Sequence, residues 1–172
     1  LVMVKPNLLV TYDPAHENSA KLEVEQLLKS VREKVTFLKS NEGVFNLRTK
    51  DSRKVVRKLT NLCEKYPYQF NKTFKYIPID KWSKSSVKNM QRAVKSLAKD
   101  IKDKESWMMS VKKRSHRMSE RSLILRLTEH VDKPKVDLFN PDKIIKVELI
   151  GKEAGFALLN DKEYLRTNKF KQ

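Results

Sequence analysis

Residues 136–159 read VDLFNPDKIIKVELIGKEAGFALL. Asn140-Pro141-Asp142 is turn chemistry, and the strand after it is written with period two. Ile145, Val147 and Leu149 point one way while Lys146 and Glu148 point the other. Gly151-Lys152-Glu153-Ala154-Gly155 then turns the chain back into the apolar run Phe156 to Leu159, so the stretch predicts a turn followed by a β-hairpin. Immediately upstream, Ser119 caps a helix through Leu123, Leu127 and Val131, stopped by Pro134. Before that, Trp107 to Lys112 reads as a strand. A long helix with Val87, Met90, Val94, Leu97 and Ile101 as its apolar line precedes it. The polar stretch Lys81-Trp82-Ser83-Lys84-Ser85-Ser86 reads as a linker or domain boundary.

The N-terminal half has its own rhythm. Leu8 to Tyr12 is a strand stopped by Asp13-Pro14, and Asn18 or Ser19 caps a helix carrying Val24, Leu27, Leu28 and Val31. Val35 to Leu38 and Val44 to Arg48 are strands about a turn at Asn41-Glu42-Gly43. Asp51 or Ser52 opens a second helix with Val55, Leu59, Leu62 and Tyr66 on one face, and Pro67 closes it. Thr73 to Ile79 is a fourth strand, which Pro78 places at an edge or a bulge. The order β-α-β-β-α-β is the split unit of a ferredoxin-like fold. The whole is therefore expected to be α+β, with a ferredoxin-like domain over residues 1–82 and a second, α/β domain over residues 83–172.

Charge narrows the function. Among 172 residues, 38 Lys and Arg face 21 Asp and Glu, a net +17. Residues 1–82 hold 16 basic and 9 acidic residues and residues 83–172 hold 22 and 12, so the second half is the more basic. Only Asp100, Asp103 and Glu105 interrupt 11 basic residues between Lys84 and Arg117. On the long helix Lys84, Lys88, Arg92, Lys95, Lys99 and Lys102 recur every three or four residues beside the apolar line, a one-sign stripe that favours a polyanion over solvent alone. Lys112-Lys113-Arg114-Ser115-His116-Arg117 runs into the helix capped by Ser119, where unpaired N–H groups and the helix dipole also favour phosphate. Arg114 and Arg117 can fork onto phosphate oxygens, and Lys112 and Lys113 act as point charges. Lys81 flanks Trp82, whose indole can stack a base or, more commonly at a boundary, pack between domains.

Other chemistry is scarce. Three glycines exclude glycine-rich phosphate loops, and the single Cys63 excludes a disulfide framework and a multi-Cys zinc site. His16, His116 and His130 lack metal-ligand spacing, so no metal and no cofactor is expected. Neither His116 nor His130 has a nucleophile at fixed spacing. Asp137 and Asp142 read as turn caps, and Cys63, among Leu59, Leu62 and Tyr66, as a buried thiol. The consensus of an RNA recognition motif is absent around Gly43-Val44-Phe45. No signal peptide or membrane span is read, and one unpaired thiol suits a reducing interior, so the expected location is cytoplasmic.

The turn Val136 to Asp142, the strand Ile145 to Gly151, the run Ala154 to Leu159 and the upstream Ser110-Val111-Lys112-Lys113-Arg114 strand together resemble the end of a THUMP domain. The resemblance covers about Ser83 to Leu165. It implies an RNA-binding module of tRNA modification that holds the acceptor stem and 3′ CCA end, commonly behind a ferredoxin-like domain. With no catalytic domain after Leu165, the chain is similar to stand-alone members that serve as adaptors for an RNA cytidine acetyltransferase making acetylcytidine. The expectation is thus a non-catalytic tRNA-binding adaptor that uses Lys112, Lys113, Arg114, His116, Arg117 and Ser119, with Lys84, Lys88, Arg92, Lys81 and Trp82 extending the track. The competing readings are an RNA-modifying enzyme with a site near His116, an adaptor for a different tRNA-modifying enzyme, and a protein-interaction module facing an acidic partner.

Overall fold

The structure is a computed structural model that describes residues 4–114 and 116–172; Leu1–Met3 and Ser115 of the basic loop lie outside the described residues. In chain order the first elements are β1 (Leu8–Tyr12), α1 (Glu17–Ser30), β2 (Thr36–Phe37), β3 (Val44–Arg48), α2 (Ser52–Lys65) and β4 (Thr73–Pro78). Then come β5 (Lys81–Lys84), α3 (Val87–Ala98), β6 (Trp107–Arg114), α4 (Glu120–Thr128), β7 (Lys143–Ile150) and β8 (Glu153–Leu159), and last β9 (Leu165–Arg166). The fold is mixed α+β, with two sheets and four helices among the described residues.

Two compact units divide the chain. One comprises residues up to Ile79 together with Lys162–Gln172, the other Asp80–Asp161. From composition alone, everything after Trp82 is expected in the second domain. The chain instead returns at its end, because β9 pairs with β4, Leu165 opposite Tyr76 and Arg166 opposite Lys75. Leu165 is buried and joins the core of the first unit, which gives the tail an apolar anchor.

In the first unit the sheet order is β2-β3-β1-β4-β9, every neighbouring pair antiparallel. Leu8, Val10 and Tyr12 of β1 alternate onto the face covered by α1 and α2, where they meet Val24, Leu27, Val55, Leu59 and Cys63. Tyr12 stacks on Phe45 of the adjacent strand with 4.0 Å between ring centroids. Asp51 caps α2, its carboxylate accepting from the Lys54 amide at 3.1 Å. The first helix starts differently from expectation. A short 3-10 turn at Pro14–His16, capped by Asp13, feeds α1 directly, and Ser19 donates back to the His16 carbonyl instead of capping. Pro78 pairs with Leu8 at the end of β4, beyond the two residues that β9 covers, so its missing N–H falls at an open edge.

In the second unit the order is β5-β8-β7-β6. β6 and β7 run parallel from Trp107 opposite Lys143 to Arg114 opposite Ile150, while β7–β8 and β5–β8 are antiparallel. Helices α3 and α4 cover one face through Met90, Val94, Leu97, Leu123 and Leu127 against Met109, Val111, Val147 and Phe156. The stretch read as a linker is a strand: Lys81 to Lys84 pairs with Phe156 to Glu153 along the sheet edge. Lys146 and Glu148, which the alternation sets opposite the helix-facing residues, are 7% and 3% exposed, so both faces of β7 are buried.

Candidate nucleic-acid interface

Helix α3 begins at Ser86, whose hydroxyl accepts from the Asn89 amide and from its side chain at 2.7 Å. Met90, Ala93, Val94, Leu97 and Ala98 are buried. At about 100° per residue, Lys88, Arg92, Lys95 and Lys99 fall within about 60° of arc on the opposite side of the helix. All four are exposed, and none forms an ion pair with a described residue. At ~1.5 Å per residue the row runs for about 16 Å. The first turn of α3 has no acidic residue, so no carboxylate of that turn offsets the positive end of its dipole. Self-repulsion along such a row is relieved by a bound polyanion.

The second basic segment divides between holding a loop and facing solvent. Lys112 and Arg117 are exposed. The Lys113 amide donates to Glu120 Oε2 at 2.9 Å, and its ammonium reaches the Met118 carbonyl at 3.3 Å. Arg114 Nη2 lies 3.8 Å from Glu148, a carboxylate only 3% exposed. Its Nη1 is shut from solvent and has no hydrogen-bond partner among the described residues, so the guanidinium keeps unused donor capacity. The Met118 amide donates to His116 Nδ1 at 3.2 Å, which leaves Nε2 as the protonated nitrogen donating to the Ser85 carbonyl at 3.1 Å. Ser119 caps α4, accepting from the Ser122 amide at 3.1 Å. Glu120 stands in the first turn of that helix and already meets its positive end, a local acid the sequence reading did not weigh.

The His116–Ser85 bond brings the two segments together. It ties the loop after β6 to the residue before the α3 cap, and the Ser85 amide in turn donates to the Lys152 carbonyl at 2.9 Å. One end of the second sheet therefore gathers the end of β6, the end of β5, the β7–β8 turn and the starts of α3 and α4. Lys84, Lys88, Arg117 and Lys152 belong to this end, and all four are exposed. Lys152 is an addition that sequence reasoning passed over as a turn residue. The only signal for it was a cation in a hairpin turn whose spatial neighbour is 67 positions away.

Other expected residues lie apart from the α3 row. Lys81 Nζ donates to Ser96 Oγ at 2.7 Å, so this side chain is spent beneath α3. Alternation along β5 then puts Trp82, half-buried, on the opposite face. Lys112 follows Val111 of the helix-covered core and likewise lies on the sheet face away from α3. Asp137 acts as a turn cap: its carboxylate accepts from the amides of Phe139 and Asn140, and these bonds, chiefly that from Asn140, hold it below the usual carboxylate range. Among the described residues no group of three His, Cys, Asp or Glu is placed to hold a metal ion. No helix among them is long and apolar enough to cross a membrane.

No protein-family profile matches the sequence, and no curated protein matches it. Solved structures do share the fold. PH1313 from Pyrococcus horikoshii Ot3 is similar at a TM-score of 0.66 and 14% identity, over 94% of this chain and 55% of that one. TrmN from Thermus thermophilus gives 0.53 and 15%, over 88% and 44%. A 4-thiouridine synthetase solved as an RNA complex with bound ATP gives 0.50 and 13%, over 95% and 42%. This chain thus spans about half the length of the solved structures it matches, and what it has in common with them is their fold.

Proposed function

We propose that the protein is an RNA-binding module of RNA modification that grips tRNA through the second unit. The observation that carries this reading is the exposed row Lys88, Arg92, Lys95 and Lys99, unpaired with any described acid and starting at the sheet end to which Lys84, Arg117 and Lys152 belong. Phosphates bind along the row as point-charge contacts, and the guanidinium of Arg117 adds forked hydrogen bonds. The fold likeness to a synthetase crystallised with RNA supports the same ligand class. The second unit is read as a THUMP domain and the first as a ferredoxin-like domain; the strand order β2-β3-β1-β4, antiparallel throughout, supports the latter.

In its finer form the proposal is a non-catalytic adaptor that holds the acceptor stem and CCA end for a modifying enzyme, the RNA cytidine acetyltransferase being the partner implied by the sequence resemblance. Labelled tRNA titrated at several salt concentrations tests the grip, and with about five phosphates neutralised the log–log slope is expected near −4. A salt-independent affinity overturns it. An acceptor stem trimmed of CCA is expected to bind more weakly than the intact stem, and equal binding rejects end recognition. Turnover of tRNA by the pure protein with acetyl-CoA or S-adenosylmethionine overturns the adaptor role.

A further inference from the structure

The first unit carries a groove of its own, about 410 Å³, lined by Asn71, Phe74, Lys75, Arg166, Asn168 and Lys171. That volume lies within the range of small-ligand sites. Three of these residues are cations, two are amides and none is an acid. Lys75 and Arg166 stand directly opposite each other on β4 and β9. Like charges in that position oppose strand pairing, and β9 has only two residues with which to offset the cost. An anion between the two would turn the repulsion into a clamp.

Phe74 supplies a second kind of contact. β4 slips in register against β1, with Lys75 opposite Thr11 but Thr73 opposite Tyr12. Phe74 is therefore the extra residue of a bulge, a feature that re-aims a side chain. Its ring is 48% exposed, whereas Tyr76 two residues on is fully buried. The groove's walls are fixed from within. The Glu23 carboxylate accepts from the amides of Asn71, Lys72 and Thr73 and from the Thr73 hydroxyl. Thr167 Oγ1 donates to the Thr73 carbonyl at 2.7 Å, and Lys171 Nζ to the Phe70 carbonyl at 2.6 Å. A rigid open aromatic face beside paired cations and amide groups matches the parts of a nucleotide.

We infer that this groove holds one unpaired RNA nucleotide, its base stacked on Phe74 and its phosphate between Lys75 and Arg166. The polymer rests on the RNA-binding reading above, but none of the groove's residues belongs to the second unit. The test is a titration of the full, isotope-labelled chain with adenosine monophosphate, followed by amide chemical shifts, with inorganic phosphate and an acidic peptide as separate arms. Shifts are expected at residues 71–75 and 165–171, with phosphate binding the same amides more weakly. Phe74→Leu, which keeps an apolar side chain, is expected to weaken adenosine monophosphate about 10-fold and leave phosphate unchanged, since stacking on an aromatic ring is what it removes. Arg166→Gln is expected to weaken both. No shifts in the groove, equal affinity for nucleotide and phosphate, an unaffected Phe74→Leu variant, or equal binding of the acidic peptide would each overturn the inference. Loss of nucleotide binding with tRNA binding intact sinks the groove alone; the converse sinks the tRNA reading alone.

Discussion

Replacing Lys88, Arg92 and Lys95 together with Gln removes three charges from α3 while leaving its fold almost untouched. All three side chains are exposed and form no ion pair with a described residue, and Gln is nearly as good a helix former as Lys or Arg. The change in stability is therefore expected to stay within about 0.5 kcal/mol. Binding should respond much more strongly. Each lost phosphate contact takes about 0.7–0.9 from the log–log salt slope, so losing three should bring a slope near −4 to roughly −1.6. Between 50 and 200 mM salt the unaltered protein then loses about 250-fold in affinity and the variant about 9-fold. The assay is fluorescence anisotropy of labelled tRNA at four or five salt concentrations, with a thermal melt of each protein beside it. A matched control removes three exposed cations of the first unit, Lys29, Lys39 and Arg57, so that net charge is equal in both variants. An α3 variant whose slope equals that of the control would refute the idea that the row, rather than overall charge, does the binding.

Two further outcomes concern the fold. Glu23→Gln replaces a carboxylate oxygen that accepts from the Asn71–Thr73 segment with an amide nitrogen that can only donate. Chemical denaturation is expected to show a loss of about 1–3 kcal/mol. Burial pushes the Cys63 thiol up to about 11, so above the ordinary thiol value the unfolded chain releases this proton and the folded chain does not. Stability should therefore fall as pH rises from about 9 to 11, by about 2–3 kcal/mol relative to Cys63→Ala. Urea titrations of the two proteins at pH 7, 9 and 10.5 check this, and parallel pH profiles would contradict it.

Elements that write their burial into local spacing were legible. Leu8 to Tyr12, the α2 line through Val55 and Leu59, and the strands on either side of Gly151 needed only periodicity and turn residues, although Tyr66 at the end of that line is exposed and Cys63 takes its place in the core. The α1 cap and Glu120 are local misses; the larger ones share a physical cause, which is partnership at long range. Lys81-Trp82-Ser83-Lys84 has a linker's composition, and only pairing with β8 some 70 residues later makes it a strand. Leu165–Arg166 is too short to announce itself and exists as a strand because β4 offers a free edge. The site follows the same rule. The α3 row was visible as charge at helical spacing, but the same spacing also counted Lys84, which lies on β5, and Lys102, which lies beyond the end of α3. The tie of His116 to Ser85, the turn of Arg114 toward Glu148 and the use of Lys81 by Ser96 depend on neighbours that spacing does not reveal.

The most direct measurement is hydrogen–deuterium exchange of the full chain with and without unmodified tRNA, read peptide by peptide. Slower exchange is expected at the start of α3, around Lys84–Arg92, and across His116–Arg121 and Gly151–Glu153. Protection confined to residues 4–79, or no protection at any peptide under saturating tRNA, would contradict a grip by the second unit.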